Sequence, residues 1–250
     1  MINEIIQIAQ KAGDAILEIY NKDFNVEYKD DKSPLTDADK VSNEIITEAL
    51  QKLTPQIPII SEENKLLDYQ IRKDWTKCWL VDPIDGTKEF IKKNGEFTVN
   101  IALIENGIPI LSAVGVPAQN IIYYAEKNKG TYKIYNETTI KLEKTPIENN
   151  TIRIVGSRSH QTPELLAYVD EQKEKYANVE FVAAGSSLKF CLIAEGKADV
   201  YPRLGPTMEW DTAAGHLIAT ESGSDVLVWN SDEKLSYNKE NLLNPFFIVQ

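Results

Sequence analysis

The stretch Trp79–Thr87, which reads Trp-Leu-Val-Asp-Pro-Ile-Asp-Gly-Thr, carries the strongest indication of the fold. The apolar run Trp79–Val81 predicts a buried strand, and Asp82-Pro83 predicts a turn that ends it. The acids Asp82 and Asp85 are three residues apart, so they can approach one cation from two sides. The proline stiffens the turn, and the glycine after Asp85 lets the backbone bend back. The stretch therefore predicts a strand that presents oxygen ligands at its end.

Helices precede this strand and further strands follow it. Apolar residues at helical spacing predict two amphipathic helices, one from Ile2 to Ile19 and one from Val41 to Leu53. Asn106-Gly107 between two apolar runs predicts a hairpin, because this dipeptide suits turns with positive φ. Two more runs, 121–125 and 131–135, are typical of strands. The first part of the chain is therefore predicted to be an α+β lobe.

Beyond about residue 146, strand-like and helical segments alternate. Helices are predicted from Pro163, over Ser186–Glu195 and over Asp211–Glu221, and strands over 152–155, 179–182, 199–201, 226–229 and 246–249. Such alternation is typical of an α/β layer. The sequence thus predicts an α+β lobe of residues 1–145, which contains most of the candidate acids, packed on an α/β lobe of residues 146–250.

Composition and charge exclude several classes of protein. Asp and Glu number 38 against 27 Lys and Arg, so the surface repels nucleic acid, and an anionic substrate needs locally placed cations. The two cysteines, Cys78 and Cys191, lie in apolar contexts and are too few for a disulfide framework or a zinc cluster. The start of the chain is not typical of a signal peptide, and no apolar window could span a membrane. We expect a cytoplasmic protein, with loose peripheral membrane association left open.

Further acids stand at the ends of other predicted elements. Glu62 follows the apolar run Ile57–Ser61, Asp211 opens a predicted helix, and Asp39 lies in the first turn of the second helix. Each has a structural interpretation: Thr36-x-x-Asp39 resembles a capping box, Asp85-Gly86 suits a tight turn, and Asp211 suits a helix cap. Together they favour a site for a hard divalent cation such as Mg²⁺, which prefers several convergent oxygen ligands.

These motifs resemble those of a known family. Trp79–Thr87 and Trp210–Gly215 are similar to the two signature segments of the inositol-monophosphatase superfamily of Mg²⁺-dependent, lithium-sensitive phosphomonoesterases, and Ser61–Glu63 and Thr36-x-x-Asp39 precede them in the right order. The resemblance covers nearly the whole chain. It implies a layered αβαβα fold of the sugar-phosphatase type.

A closer resemblance is to one branch, the bacterial CysQ-type 3'(2'),5'-bisphosphate nucleotidases. The segments that carry it are 88–91, 94–103, 157–160, 185–191, 201–206 and 243–245. This branch implies removal of the 3'-phosphate of adenosine 3',5'-bisphosphate, a by-product of sulfate assimilation, to give AMP and phosphate.

The resemblance also implies roles for individual residues. It assigns two Mg²⁺ ions, with a third left open, to Glu62, Asp82, Asp85, Asp211 and the carbonyl of Ile84. It assigns the orientation of the attacking water to Thr87 and Asp39, and phosphate binding to the amides of Gly86 and Thr87. The nucleotide bisphosphate would be held by Ser186, Lys189 and Arg203, with His160 beside it. We expect a monomer or weak dimer that acts on this small molecule.

Alternatives remain open at this point. Spacing alone favours a simpler interpretation of the residues assigned to the nucleotide. In it, Ser186 caps a helix, and Lys189 and Arg203 are solvated surface charges. An inositol or fructose-bisphosphate phosphatase of the same superfamily is the nearest rival, although a neutral polyol has no evident use for two further cations. Phosphosulfate nucleotides are not ranked by the sequence. A non-catalytic nucleotide- or metal-binding module is a remote alternative, because it predicts a missing acid and none is missing.

Overall fold

The computed structural model of the chain describes residues 1–22, 26–28, 34–157 and 162–250. The helices are α1 Ile2–Tyr20, α2 Asp37–Leu53, α3 Tyr69–Arg72, α4 Thr87–Ile91, α5 Pro163–Lys175, α6 Leu188–Ala194 and α7 Glu209–Glu221. The strands are β1 Val26–Tyr28, β2 Pro34–Thr36, β3 Ile59–Ser61, β4 Lys77–Asp85, β5 Thr98–Glu105, β6 Ile108–Val116, β7 Ile121–Glu126, β8 Gly130–Tyr135, β9 Thr138–Leu142, β10 Thr151–Gly156, β11 Asn178–Ala183, β12 Tyr201–Arg203, β13 Val226–Val228 and β14 Phe247–Val249.

A seven-stranded sheet in the order β3-β4-β5-β6-β7-β8-β9 forms the larger of the two main β layers. Only the β3–β4 pair of this sheet is parallel, and the remaining pairs are antiparallel. β5 and β6 form the hairpin predicted from Asn106-Gly107, with both turn residues at positive φ. The two predicted amphipathic helices are confirmed as α1 and α2. β9 was not predicted, because most of its side chains are exposed and it has no buried face to set a pattern.

Strand β4 shows how helices cover both faces of this sheet. Successive side chains of a strand point to opposite faces. Trp79 and Val81 pack in the core that contains α1 and α2, whereas Cys78 and Leu80 pack in the core that contains α6 and α7. All four side chains are buried. The central strand is therefore apolar on both faces, which explains its continuous apolar run in the sequence.

The second β layer lies on the other side of α6 and α7. It consists of the parallel pair β10–β11 and the antiparallel group β12-β14-β13, joined by a backbone bridge between Ile154 and Val200. Val155 faces the α6–α7 core, whereas Ile152 and Ile154 face away from it and pack with residues of α5. The order of layers is thus helices, sheet, helices, sheet, helix, and the predicted αβαβα fold is confirmed.

Several predicted boundaries were wrong. β4 does not end at Val81 but continues to Asp85 through an irregularity between Asp82 and Asp85. A bulge of this kind absorbs the proline, which lacks the N–H that a regular ladder uses. α7 begins at Glu209 and not at Asp211, and α6 begins at Leu188 and not at Ser186. Strand β12 covers Tyr201–Arg203, about two residues later than predicted.

The predicted division at residues 145 and 146 falls in the segment between β9 and β10. One hydrophobic core includes residues from both sides of that point, among them Leu80 and Val114 before it and Phe190 and Phe247 after it. The division of the chain into two domains stays a prediction. Within the described ranges, no helix has both the length and the apolar composition that a membrane crossing requires.

Close contact between α6 and α7 gives a stability prediction. A Cβ added at Gly215 would overlap the ring of Phe190 and lie 2.9 Å from its Cβ, whereas one added at Gly205 meets nothing within 4 Å. Gly215→Ala should therefore lower the free energy of unfolding by about 1–3 kcal/mol, although alanine normally stabilises a helix relative to glycine. Urea unfolding of both variants measures this. If Gly215→Ala had a free energy of unfolding equal to or above that of Gly205→Ala, the close packing of Gly215 against Phe190 would be contradicted.

Candidate metal and active site

Three acids converge from three different elements. Glu62 directly follows β3, Asp82 lies in β4, and Asp211 lies in the first turn of α7. Their carboxylates each offer one oxygen, and these oxygens all lie within 4.8 Å of one another. The parallel pairing of β3 with β4, extended by a hydrogen bond from the Glu62 amide to the Val81 carbonyl (3.1 Å), places Glu62 beside Asp82. We call Glu62, Asp82 and Asp211 the acidic cluster.

Burial makes ionisation of the carboxyl groups in this cluster unfavourable. Burial raises the pKa of Asp82 well above its usual value, and the neighbouring carboxylates of Glu62, Asp85 and Asp211 raise it further. The pKa of Asp211 is also well above its usual value, because of burial first and Asp85 second. Like charges in a poorly solvated position cannot all ionise unless a cation compensates them. An all-oxygen donor set of this charge fits a hard divalent cation such as Mg²⁺.

Asp85 is near these acids but is not part of the cluster. Its Oδ2 accepts hydrogen bonds from the amide of Ser187 (2.5 Å) and from Asn100 Nδ2 (3.5 Å). Burial raises the pKa of Asp85 to about 6, while the ammonium of Lys189 and the Ser187 amide oppose the rise. Ile84, whose carbonyl was predicted as a ligand, donates its amide to Asp82 Oδ1 at 3.1 Å. The structure therefore brings three of the four predicted carboxylates together and holds the fourth against Ser187.

Asp39 and Thr87 form the predicted pair beside this group. Asp39 is buried at the start of α2, where its Oδ2 accepts from both the amide and the hydroxyl of Thr36, each at 2.7 Å. The capping box expected from Thr36 and Asp39 is thus present. The Thr87 hydroxyl lies 3.3 Å from Asp39 Oδ1, to which it can donate, and 3.4 Å from the Ile84 carbonyl. The cap uses Asp39 Oδ2 and the Thr87 hydroxyl lies at Oδ1, so the structural and the functional interpretations are compatible.

The backbone between Asp82 and Thr87 is held in an unusual path. Gly86 has a φ of 90°, a region that side chains other than glycine rarely adopt, and a Cβ there would lie 3.3 Å from that of Ser186. The hydroxyl of Ser42 donates to the Pro83 carbonyl at 2.9 Å and anchors the bulge to α2. The amides of Gly86 and Thr87 lie where α4 begins. Their predicted role in phosphate binding stays a prediction.

A cavity of about 150 Å³ adjoins the acids, and we call it the central cavity. Its lining includes two acids and two cations of the predicted site, Asp85, Asp211, Lys189 and Arg203, together with the predicted residues Ser186 and Gly86. A larger cavity of about 880 Å³ lies between α5 and the β12-β14-β13 strands. None of the predicted site residues that the structure describes lines the larger one. The predicted site residues in its lining, and not its size, therefore identify the central cavity as the candidate site.

Lys189 differs from the simpler expectation of a solvated charge. It is 4% exposed, its ammonium donates to the Ser186 carbonyl at 2.6 Å, and it lies 5.5 Å from the centre of the Tyr201 ring. Burial lowers the pKa of Lys189 to about 8, with Asp85 opposing the change. Ser186 precedes α6 and has a φ of 46°, so it is not part of the helix predicted from Ser186 onward, although both residues line the cavity.

Arg203 is another cation that lines the central cavity. Its Nη2 donates to the Pro206 carbonyl at 2.8 Å. Its Nε is buried and has no hydrogen-bond partner among the described residues, so a donor remains for an acceptor from outside the chain. His160 lies outside the described residues, and its predicted place beside the nucleotide stays a prediction.

The reasoning from sequence missed three buried polar residues next to Asp85: Thr98, Asn100 and Ser187. They fall within two segments that carried the branch resemblance, 94–103 and 185–191. A polar residue within an apolar strand run is the signal that could have drawn attention to Thr98 and Asn100. Nothing in the sequence pairs them with Ser187, because the contact joins residues 87 and 89 positions apart.

Comparison with known proteins defines the class of this molecule. Residues 1–245 match the model of the inositol monophosphatase family. The chain therefore belongs to the inositol monophosphatase family, and the resemblance predicted from its motifs is confirmed. This family is metal-dependent, which agrees with the acidic cluster described above.

Several relatives are similar over their full length. The 3'(2'),5'-bisphosphate nucleotidase CysQ of Salmonella typhimurium is 44% identical over 255 residues, which cover 100% of this chain and 99% of the relative. The protein of the same name from Escherichia coli K12 is 43% identical over 255 residues, with the same coverage. The predicted resemblance to the CysQ branch is therefore also confirmed.

Solved structures agree with this assignment. The crystal structure of CysQ from Bacteroides thetaiotaomicron, a bacterial member of the inositol monophosphatase family, has a TM-score of 0.88 at 45% identity and covers 99% of this chain and 96% of that chain. The suppressor protein suhB from Bartonella henselae has a TM-score of 0.77 at 22% identity, covering 99% and 92%. The second likeness concerns the fold alone.

The raised pKa of Asp85 predicts how stability depends on pH. The folded, metal-free protein binds the proton of Asp85 more tightly than the unfolded chain, whose ordinary value is 3.8. The free energy of unfolding should therefore fall as pH rises from about 4 to about 6, by on the order of 3 kcal/mol from this group. Asp85→Asn should remove that part of the fall. Urea unfolding in EDTA across this pH range measures the free energy of unfolding of both proteins. If this free energy fell equally with pH in the wild type and in Asp85→Asn, the raised pKa of Asp85 would be contradicted.

Proposed function

We propose that the chain is a Mg²⁺-dependent phosphomonoesterase that removes the 3'-phosphate of adenosine 3',5'-bisphosphate and releases AMP and phosphate. The observation that carries this proposal is one cavity lined by Asp85 and Asp211 together with Lys189 and Arg203. A substrate with two phosphates needs a metal-binding side for the phosphate that is cleaved and cations for the one that is kept. Full-length similarity to proteins named 3'(2'),5'-bisphosphate nucleotidase CysQ supports the same substrate.

The acidic cluster would hold the metal. Glu62, Asp82 and Asp211 would supply the first ligands, and Asp85 with the Ile84 carbonyl would supply further ones for a second ion. When bound, Mg²⁺ supplies Lewis acidity, which acidifies water and offsets the negative charge that builds on the phosphoryl group. The burial and mutual repulsion of these acids support a site completed by divalent cations.

Thr87 and Asp39 would orient the attacking water. Two hydrogen bonds from Thr36 keep Asp39 in place, and its second oxygen lies 3.3 Å from the Thr87 hydroxyl. When the hydroxyl donates a hydrogen bond to Asp39, the oxygen of Thr87 has a lone pair left to accept a hydrogen bond from water. The water is thereby held as a nucleophile, which is the positioning that phosphoryl transfer requires.

The remaining phosphate and the nucleotide would be held across the central cavity. Arg203 has a buried Nε donor with no partner in the described ranges, Lys189 contributes positive charge, and Ser186 adds a hydroxyl to the lining of the cavity. The amides of Gly86 and Thr87 would hold oxygens of the phosphate that reacts, and His160 would lie beside the nucleotide. In the reaction the water oxygen forms a bond to phosphorus and the bond from phosphorus to the 3'-oxygen breaks. Of the two protons of the water, one ends on the 3'-oxygen and the other stays with the released phosphate. No covalent bond to the protein is required.

The function is tested by phosphate release from three substrates compared side by side: adenosine 3',5'-bisphosphate, inositol 1-phosphate and fructose 1,6-bisphosphate. We expect strong preference for the nucleotide with Mg²⁺ and complete loss of activity in EDTA. Preference for inositol or fructose phosphate would overturn the substrate while keeping the metal site. No release from any of the three would contradict the enzymatic assignment.

Arg203 is predicted to determine substrate preference. Arg203→Ala should lower kcat/KM for adenosine 3',5'-bisphosphate by at least about 10-fold, since a charged hydrogen bond contributes about 1.5–3 kcal/mol. Hydrolysis of p-nitrophenyl phosphate, which has one phosphate, should change little.

The matched control is Lys175→Ala, which removes an exposed cation that lines the larger cavity instead. It should leave both activities unchanged. Equal losses on the two substrates in Arg203→Ala would remove Arg203 from the selection of the bisphosphate.

A further inference from the structure

A row of buried polar side chains leads from β5 to Asp85, and one of its members, Ser187, also lines the central cavity. Thr98 and Asn100 lie on β5 and are 0% exposed, and Ser187, which directly precedes α6, is 2% exposed. Ser187 Oγ lies 2.8 Å from Thr98 Oγ1 and 2.6 Å from Asn100 Oδ1. The row therefore joins a strand of the seven-stranded sheet to the start of α6.

The direction of these hydrogen bonds follows from counting protons. Asn100 Oδ1 can only accept, so Ser187 must donate its single hydroxyl proton to it. Thr98 must then be the donor to Ser187. With Oδ1 occupied in this way, the amide group of Asn100 directs its Nδ2 toward Asp85 Oδ2 at 3.5 Å. All donors thus point toward the carboxylate, an arrangement in which each bond polarises the next.

The short bond in this row is made by the backbone. The Ser187 amide donates to Asp85 Oδ2 at 2.5 Å, whereas the bond from Asn100 Nδ2 is long. The position of Asp85 therefore depends on where the Ser187 backbone lies, and the two hydroxyl contacts of Ser187 tie that backbone to β5. In the described part of the chain, both hydrogen-bond donors to Asp85 fall on Oδ2, so Oδ1 is the oxygen that would bind a cation.

We propose that Ser187, tethered by Asn100 and Thr98, is a positioning residue that orients Asp85 for binding of the divalent cation. The proposal rests on the metal site described under the proposed function and names residues that this site depends on. Without the Ser187 hydroxyl, the Ser187 amide can still donate to Asp85, but the contacts that tie this segment to β5 are lost. Asp85 then has more freedom to turn, and the cation loses a preorganised ligand.

Ser187→Ala tests the proposal, with Ser112→Ala as its matched control. Ser112 is a buried serine on β6 of the same sheet, and its hydroxyl has no hydrogen-bond partner among the described residues. The first measurement is the rise of Tm of the metal-free protein as Mg²⁺ is added, which does not depend on turnover. The second is the Mg²⁺ concentration that gives half of the maximal activity.

We expect Ser187→Ala to require ~10-fold more Mg²⁺ in both measurements, the scale typical of partners that orient a metal ligand. Ser112→Ala should match the wild type in both. Thr98→Val, which removes only the first donor and keeps the side-chain shape, should shift the Mg²⁺ requirement in the same direction by about 2–3-fold. This variant decides the question if Ser187→Ala does not fold.

Three outcomes separate this proposal from the proposed function. If Ser187→Ala and Thr98→Val respond to Mg²⁺ like Ser112→Ala, the positioning role is overturned while the metal site stands. If the Tm of the wild type does not respond to Mg²⁺, the metal site and the positioning role are both overturned. If the wild type responds and the variants shift as expected but another substrate is preferred, the positioning role is supported and only the substrate assignment fails.

Discussion

The concentration of buried negative charge at Glu62, Asp82 and Asp211 is the constraint on which the rest of the structure depends. Without a cation, burial and mutual repulsion raise the pKa values of Asp82 and Asp211. Ionisation of these carboxyl groups is therefore unfavourable in the folded chain. A fold can hold such a group only on elements that packing elsewhere keeps rigid. The layers supply that packing, since the two strands and one helix that position these acids border large hydrophobic cores.

The position of α7 shows how this constraint is met. Its first turn contains Asp211, and its Glu209, 0% exposed, accepts hydrogen bonds from the amides of Asn238 and Lys239 and pairs with the Lys239 ammonium. Arg72, also buried, donates to the carbonyls of Lys239 and Glu240. The segment around Lys239 therefore links the first turn of α7 to α3, and this link helps to fix Asp211 relative to the sheet that contains Asp82.

Prediction from sequence succeeded where the signal is local and failed where it depends on distant contacts. The amphipathic helices and the Asn106-Gly107 hairpin follow from spacing and turn chemistry, which act within a few residues. The end of β4 was placed too early, because pairing of Asp82 with Asn100 and of Asp85 with Thr98 extends the strand past a proline that normally ends one. The burial of Lys189 was also not predicted, since Asp85 and the Ser186 carbonyl, which accommodate its charge, reach it only in the folded chain.

By itself, the sequence determined the family, the layered fold and the set of acids that could bind a metal. Each of these follows from short motifs and from the order in which the motifs occur along the chain. Only the tertiary structure decided which acids meet. Glu62, Asp82 and Asp211 converge, whereas Asp85 is drawn to the amide of Ser187, 102 positions further along the chain. The physical reason is that carboxylate distances and hydrogen-bond partners are set by the packing of layers, and packing brings together residues that no local pattern relates.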